Sequence, residues 1–222
     1  MLIGHFGVAL GLKRLAPRTN LAWLAIASLF IDLLLWVLIL GGVEKLIVPA
    51  DLAHQHYFGF EFPYSHSLLS TLIYAVCFGI LGALFAHHFS RIAAALILAF
   101  AVLSHWLLDF LVHPPQLPVA GESSTKVGLG LWNTLPIAHG VELAIFVIGL
   151  LVYYRSSRSR SKTGKYGPFI LFTLIAATSL IGQAVSSGPI DATIVAASSL
   201  AMLVIVIILA GWFDTMRVHL SN

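Results

Sequence analysis

The sequence predicts an all-α fold: a polytopic membrane helical bundle of six transmembrane helices, preceded by a short, half-inserted N-terminal helix. Composition is the first reason. Of the 222 residues, 59% are hydrophobic and only 9% are charged, and the mean hydropathy is +0.96, whereas soluble domains carry about 25% charged residues. Run length is the second reason, because the apolar residues form stretches of about 20, enough for a helix to cross a bilayer.

The N-terminal apolar segment is too short to cross a membrane. Residues 2–12 read LIGHFGVALGL, and at about 1.5 Å per residue they reach only half of a hydrocarbon core that is about 30 Å thick. We therefore predict a half-inserted helix with His5 near its buried end. No small-residue cleavage site precedes the basic turn at Lys13 and Arg14, so we expect the segment to belong to the mature protein.

Three predicted spans follow in the first half of the chain. The first covers residues 21–40, with Asp32 just past its middle, and a polar loop follows at 43–63. The second runs from about 64 to 86. Here we expect Ser65 to cap the helix and His66 to lie in its first turn.

The third span, from about 92 to 112, carries a row of ionisable groups. After a tight turn that contains His87 and His88, this span ends in the sequence LSHWLLDFLVHPP. His105, Asp109 and His113 are spaced four residues apart, which places them on one stripe of a helix. An ionisable group inside a membrane helix costs about 3 kcal/mol or more, so such a row indicates a function.

The remaining spans are predicted from about 134 to 154, 169 to 185 and 192 to 213. Residues 155–165 form a basic connector, and a turn at Gly188-Pro189 joins the last two spans. Since these last two lack internal ionisable groups, we predict that residues 1–154 carry the functional site and that residues 155–222 are scaffold within a single membrane domain.

Basic residues alternate between the loops as the positive-inside rule requires for six spans. The basic turn before the first span, the turn before the third and the 155–165 connector are all positively charged, whereas the intervening loops carry at most one lysine each. The N-terminal and C-terminal ends of the six-span bundle are therefore both predicted to be on the cytoplasmic side. This orientation places the ionisable residues at one level in the outer half of the bilayer: Asp32, His66, His105, Asp109, His113, His139 and Glu142.

A divalent metal is the ligand that this set of side chains favours. Two imidazoles and two carboxylates suit Zn²⁺, or Mn²⁺ and Fe²⁺ as alternatives, and the lone Cys77 excludes a cysteine-based site. We predict His66, His105 and Asp109 as ligands and Asp32 as a fourth ligand or the general base. The alternative is a hydrogen-bonded polar network that holds the helices together.

Three further residues are candidates at the edge of this site. His5 is predicted as an additional ligand, or as a partner of the backbone near the amino terminus. His113 is predicted as a ligand or as a solvated helix cap. Glu142 is predicted to assist catalysis by orienting a ligand histidine, while His139, on the same face, is more readily a structural residue.

Loop and interfacial residues complete the prediction. His54 and His56 are predicted to be loop residues that could roof the cavity. Trp132, Tyr57 and Tyr64 are predicted to belong to the aromatic belt at the membrane interface.

The order of these residues resembles a known family. His5, Asp32, the Ser65-His66-Ser67 element and the stretch 104–109 (SHWLLD) are similar to the YdjM-like family of membrane-bound metal-dependent hydrolases, over roughly residues 1–115. A more distant likeness is to zinc-dependent phospholipases C. The resemblance implies a zinc-dependent hydrolase of the bacterial inner membrane, with phosphoesters as the favoured substrates.

Two departures from the family pattern affect what is expected of this chain. The family often shows Pro-Asp-x-Asp where residues 30–34 read FIDLL, and it often shows His-Arg-Gly where residues 59–64 read GFEFPY. One carboxylate is therefore missing, which argues against a full two-metal site. The missing arginine removes an obvious clamp for an anionic substrate.

The sequence thus predicts a metal-dependent hydrolase that acts on a lipid or lipid-linked ester at the outer leaflet. The alternatives are a transporter of protons or divalent metals, a haem protein with His66 and His105 as axial ligands, and a non-catalytic membrane partner protein. Membrane lipids and a lipid-like substrate are the expected partners. Nucleic acid is not expected, because the basic residues are clustered in loops that suit lipid headgroups.

Overall fold

A computed structural model of the protein describes residues 1–86, 90–185 and 191–219. Within these ranges, six helices are long and apolar enough to cross a membrane, and a shorter apolar helix precedes them. The predicted all-α class is therefore confirmed, with 70% of the chain helical. The predicted turns at His87-His88 and Gly188-Pro189 lie outside the described residues.

The helices, numbered in chain order, are α1 (Leu2–Leu12), α2 (Leu21–Leu40), α3 (Leu52–Gln55), α4 (Leu68–Phe85), α5 (Arg91–Val112), α6 (Leu135–Arg155), α7 (Lys162–Val185) and α8 (Ala192–Thr215). Three short antiparallel strand pairs join them: β1 (Lys45–Ile47) with β2 (Gly59–Glu61), β3 (Leu117–Pro118) with β4 (Lys126–Val127), and β5 (Ser157–Ser159) with β6 (Arg217–His219). The predicted 43–63 loop thus contains a small hairpin and a helical turn.

Helix α4 begins later than predicted, and its cap is a different serine. Ser67 is the N-cap, and its hydroxyl accepts a hydrogen bond of 3.1 Å from the backbone N–H of Ser70. Ser65 does not cap the helix because its hydroxyl donates to the buried carboxylate of Glu44 at 2.6 Å. His66 therefore precedes the helix instead of lying in its first turn.

Helix α7 begins at Lys162, earlier than the predicted residue 169, and continues through Pro168. A proline inside a helix has no N–H for the carbonyl four residues before it, which here is that of Gly164. This carbonyl accepts a hydrogen bond of 2.7 Å from Nη1 of Arg217 instead. The arginine replaces the missing donor, so the helix includes residues predicted as connector.

The short helix α1 lies inside the bundle, against α6, α2 and α5. Phe6 and Leu10 are buried. Its closest approach is to α6, where a methyl group on Gly7 would lie 2.7 Å from the carbonyl oxygen of Ile145. Because glycines at the crossing let the two backbones touch, α1 carries His5 into the core.

A buried ion pair fixes the other end of α1. Nζ of Lys13 lies 2.9 Å from Oδ2 of Asp214 at the end of α8. The same carboxylate accepts hydrogen bonds from the backbone N–H of Leu21 at 3.0 Å and from the hydroxyl of Tyr153 at 3.0 Å, and His219 contacts it at 2.7 Å. Elements from both ends of the sequence are thereby joined away from His5.

Candidate metal centre

Several elements bring ionisable side chains into one buried cluster. Helix α1 contributes His5, α2 contributes Asp32, the segment before α4 contributes His66, and α5 contributes His105 and Asp109. All except Asp32 are nearly inaccessible, and the Asp32 side chain retains 19% exposure. The predicted convergence of these segments is therefore present in the structure.

Four donor atoms of the cluster have the spacing of a metal site. Nε2 of His105 lies 3.1 Å from Oδ2 of Asp109 and 3.5 Å from Oδ1 of Asp32. Nε2 of His66 lies 3.5 Å and 3.7 Å from the same two oxygens, respectively. Ligands about 2.0–2.1 Å from a tetrahedral zinc ion are about 3.3–3.4 Å apart. These four nitrogen–oxygen separations fall on both sides of that value. The donor atoms of Asp32, His66 and His105 all lie within 4.8 Å of one another, so this group could hold one divalent ion, with Asp109 beside it.

Hydrogen bonding sets the tautomer of His105. Its Nδ1 lies 2.8 Å from the carbonyl oxygen of Ser28 on α2. A carbonyl only accepts, so Nδ1 carries the proton and Nε2 of the neutral ring presents its lone pair to the carboxylates of Asp32 and Asp109. This Nε2 is buried and has no hydrogen-bond partner among the described residues. Either a proton on Nε2 or a metal cation between Nε2 and the two carboxylates would stabilise this arrangement.

His66 is held by a longer chain of hydrogen bonds. Its Nδ1 lies 2.8 Å from the hydroxyl oxygen of Ser65, and that hydroxyl donates to Oε2 of Glu44 at 2.6 Å. Oε1 of Glu44 also accepts the backbone N–H groups of Tyr64 and Ser65, each at 2.9 Å. The serine proton is used by the glutamate, so Nδ1 of His66 donates and its Nε2 faces Asp32 and Asp109.

Glu44 is the residue that the sequence did not single out. It is buried, with 2% exposure, although it belongs to a polar loop. Carboxylates that orient ligand histidines are a recurring feature of metal sites. Only the pairing of an acid in one loop with a histidine that follows a serine in the next segment could have suggested this role.

His5 forms a second wall of the cluster. Its ring stacks on that of His105, with centroids 3.7 Å apart and planes inclined by 7°. Its Nε2 lies 3.1 Å from Oδ1 of Asp109, and the amino group of Met1 lies 3.2 Å from the same oxygen. His5, His105 and Asp109 thus form an alternative three-ligand group that overlaps the first.

His113 lies beside the cluster and not within it. It is the C-cap of α5 and is 4% exposed, so the alternative of a solvated cap does not hold. Its Nδ1 lies 2.7 Å from Nε2 of Gln116, and its ring lies 4.1 Å from that of Trp132. Its ring is 6.4 Å from that of His66, which places it next to the cluster.

Glu142 has a backbone partner in the structure. Its Oε1 accepts the N–H of Ile3 at 3.0 Å, whereas the sequence prediction was that it orients a ligand histidine. The first N–H groups of a helix have no partner within the helix, and a buried carboxylate near this end of α1 supplies one. Its effect on the site passes through the position of α1 and hence of His5. His139 is half-buried and belongs to neither group of possible metal ligands.

A cavity of about 370 Å³ extends from the cluster. Its walls include the aromatic side chains of Trp36, Tyr57, Phe58, Phe60, Phe62 and Trp132. Trp132 and Tyr57 stack with centroids 5.7 Å apart, so these two predicted belt residues line the cavity. Tyr64 is 55% exposed, as a belt position requires.

The opposite wall of the cavity comes from α7 and α8. Thr178 and Ser179 on α7 and Ser199 and Met202 on α8 line it, although this half of the chain was predicted as scaffold. No pattern in the sequence indicates a role for these residues, because serine and threonine in apolar helices commonly bond to their own backbone. The cavity thus lies between the cluster and the last two helices.

Exposed ion pairs stabilise the loop that roofs this cavity. Lys45 on β1 contacts Glu61 on β2 at 2.8 Å, and this hydrogen-bonded pair raises the pKa of Lys45 and lowers that of Glu61. At α3, the hydrogen bond with Asp51 raises the pKa of His54, whose side chain is 87% exposed. His56, in contrast, lines the cavity, so of the two loop histidines only His56 roofs the cavity.

No protein-family model, curated protein or solved structure matches this chain. The resemblance to the YdjM-like family thus rests on the residues quoted above.

Proposed function

We propose that this protein is a membrane-embedded, metal-dependent hydrolase that acts on a lipid or lipid-linked ester or phosphoester. The carrying observation is that two imidazole nitrogens, Nε2 of His66 and of His105, each lie 3.1–3.7 Å from one carboxylate oxygen of Asp32 and one of Asp109. A mixed nitrogen and oxygen set of this kind suits Zn²⁺, with Mn²⁺ and Fe²⁺ as alternatives.

The residues of the cluster have different proposed roles. His66, His105 and Asp109 would hold the ion, and all three are buried. A bound divalent ion of this kind lowers the pKa of water toward about 7 and polarises an ester or phosphoryl oxygen. Asp32 lines the cavity and is the most exposed member of the cluster, so it is positioned to accept a proton from an attacking water.

The cavity supports an apolar substrate. Its surface is mainly aromatic and aliphatic, and among the described residues no lysine or arginine lines it. An acyl or prenyl chain fits such walls, and the reacting group then lies at the cluster. A group of low charge is favoured, because no lysine or arginine among the described residues lines the cavity to pair with an anion.

The membrane location follows from charge. The basic turn near Lys13 and the 155–165 connector lie at the end of the bundle opposite the cluster, and the positive-inside rule assigns that end to the cytoplasm. The cluster then lies beneath the outer surface of a bacterial inner membrane, and the start of α2 and the end of α8 lie on the cytoplasmic side. Substrate reaches it from the outer leaflet.

The core between the two polar ends favours hydrolysis over transport. Phe6 lies 5.5 Å from Phe172, and Phe172 lies 6.5 Å from Phe146, measured between ring centroids. Leu10, further along α1, is fully buried. An ion that crossed from the cluster to the Lys13 end would have to pass this apolar packing at a large desolvation cost.

Elemental analysis of detergent-purified protein tests the proposal. After loading with zinc and removal of the excess, the wild type is expected to retain about one ion per chain. His105→Ala and Asp109→Ala are expected to retain little zinc, because each variant lacks one of the proposed ligands. The exposed pair offers matched controls, since His54→Ala and Asp51→Ala remove the same residue types outside the cluster. Hydrolysis of a p-nitrophenyl acyl ester should follow the metal content. A wild type that holds no more zinc than the two cluster variants contradicts the proposal.

A further inference from the structure

A second cleft, of about 690 Å³, lies at the opposite end of the bundle from the cluster. It is formed by the last turns of α6, the first turns of α7 and the β5–β6 pair. Three cationic side chains line it: Arg158 on β5, Lys165 on α7 and Arg217 on β6. No carboxylate is among the described residues that line it, and the sequence has no acidic residue between Glu142 and Asp191.

Arg217 is the fixed element of this cleft. It is only 6% exposed, and it donates to the hydroxyl of Ser157 at 2.8 Å and to the carbonyl oxygen of Gly164 at 2.7 Å. Its guanidinium lies 4.4 Å from the centre of the Tyr154 ring. Among the described residues it has no ion pair with a carboxylate, so its charge is held in place by neutral groups alone.

Arg158 and Lys165 add two exposed charges to the cleft. Both are exposed, and Nζ of Lys165 lies 5.0 Å from the centre of the Tyr166 ring. Like charges gathered around one cleft repel each other. An anion between them removes this repulsion and supplies the counter-charge that Arg217 lacks.

Apolar side chains line another part of the cleft. Leu150 and Leu151 on α6 and Phe169 on α7 line it, and Leu151 and Phe169 are 49% and 51% exposed. Tyr154 and Tyr166 lie between these residues and the basic ones, as aromatic residues do at a membrane interface. The cleft therefore combines a basic site for an anion with an apolar surface for hydrocarbon chains.

We propose that this cleft binds an anionic phospholipid. Its phosphate lies among Arg158, Lys165 and Arg217, and its acyl chains lie along Leu151 and Phe169. Basic pockets between membrane helices on the cytoplasmic side are suited to anionic headgroups, and the positive-inside rule assigns this end of the bundle to that side. The site is independent of the metal centre and of the proposed hydrolysis.

The affinity of the full chain, purified in detergent, for short-chain lipids tests this site. The probes are dioctanoyl phosphatidylglycerol, dioctanoyl phosphatidylcholine and glycerophosphoglycerol, which has the anionic headgroup without acyl chains. The variant Arg158→Gln/Lys165→Gln removes two charges from the cleft. Arg160→Gln/Lys162→Gln is its matched control, because it removes two exposed charges of the same connector that do not line the cleft.

Wild type is expected to bind the phosphatidylglycerol at least tenfold more tightly than either other probe. The cleft variant should bind it roughly 30-fold more weakly, given about 1 kcal/mol for each basic residue near an anionic surface, while the control should stay within about threefold of wild type. Equal binding of the two lipids, or equal losses in the two variants, overturns the proposal. If glycerophosphoglycerol binds as tightly as phosphatidylglycerol, the acyl chains contribute nothing. That result overturns the proposal of a lipid site and indicates a site for a soluble phosphate ester.

Discussion

At the scale of single residues, the position of His66 depends on a carboxylate that never touches the proposed ion. Glu44 accepts three hydrogen bonds from residues 64 and 65, and through the hydroxyl of Ser65 it fixes the ring of His66. A ligand held in this way loses little freedom when it binds an ion. Outer partners of this kind commonly contribute a factor of 10–100 to metal affinity.

Replacing Glu44 by glutamine tests this role. Glutamine has one acceptor oxygen in place of two, so an N–H group faces one of the donors and Ser65 is released. We expect zinc affinity, measured by competition with a chelator, to fall by about 10–100-fold. Glu61→Gln on the same loop is the control, because the Glu61 side chain is 41% exposed and its carboxylate pairs with Lys45, outside the cluster. Equal affinity in Glu44→Gln and wild type would show that the serine and histidine do not need the carboxylate.

Sequence reasoning found the residues whose spacing is local. His105 and Asp109 are four apart on one helix, so helical periodicity alone predicts that they meet. Asp32 and His66 were found through their common depth in the membrane. Glu44 could not be found in this way, because its contact with Ser65 depends on how the 43–63 loop folds and not on any periodicity.

At the scale of elements, the central feature is the crossing of α1 and α6. The backbones of Gly7 and Gly149 are in direct contact, and any side chain at either position would strike the other helix. The sequence predicts the length and apolar character of α1. It does not predict that α1 is enclosed by other helices. That enclosure depends on contact between two glycines, Gly7 and Gly149, which are far apart in the sequence.

Alanine at position 149 is expected to displace α1. The new methyl group would overlap the carbonyl oxygen of Gly7, and forcing extra volume into a packed core costs about 1–3 kcal/mol. Both the melting temperature in detergent and the zinc affinity should fall, because His5 moves with α1. Gly140→Ala on the same helix should not lower the melting temperature, since nothing lies within 4 Å of its added methyl group. If Gly149→Ala and Gly140→Ala had the same melting temperature and zinc affinity, the crossing of α1 and α6 would tolerate a side chain.

At the scale of the whole molecule, the last two helices complete the cavity that the first half of the chain begins. Ser199 on α8 and Thr178 on α7 face the same space as Asp32 and His66. Hydropathy identifies α7 and α8 as spans but contains no information on which helices they approach. The arrangement of helices around the cavity therefore had to come from the structure.

Filling the cavity from α8 separates its role from that of the metal centre. Tryptophan at Ser199 should occupy space that an acyl chain needs, so KM for a p-nitrophenyl ester of a long acyl chain should rise about tenfold or more, while zinc content stays at the wild-type level. Hydrolysis of p-nitrophenyl acetate should change little. The neighbouring Ser198 is exposed, so Ser198→Trp is the matched control and should match wild type for both esters. Equal KM values for the long ester in the two variants would place the substrate elsewhere.

X-ray absorption at the zinc edge of the loaded protein tests the central claim most directly. We expect only nitrogen and oxygen neighbours at about 2.0–2.1 Å, with the outer scattering of two imidazole rings. In His66→Ala the scattering of one ring should disappear. A spectrum that shows a fully hydrated ion, or one that the removal of His66 leaves unchanged, would contradict the assignment of this cluster as a metal site.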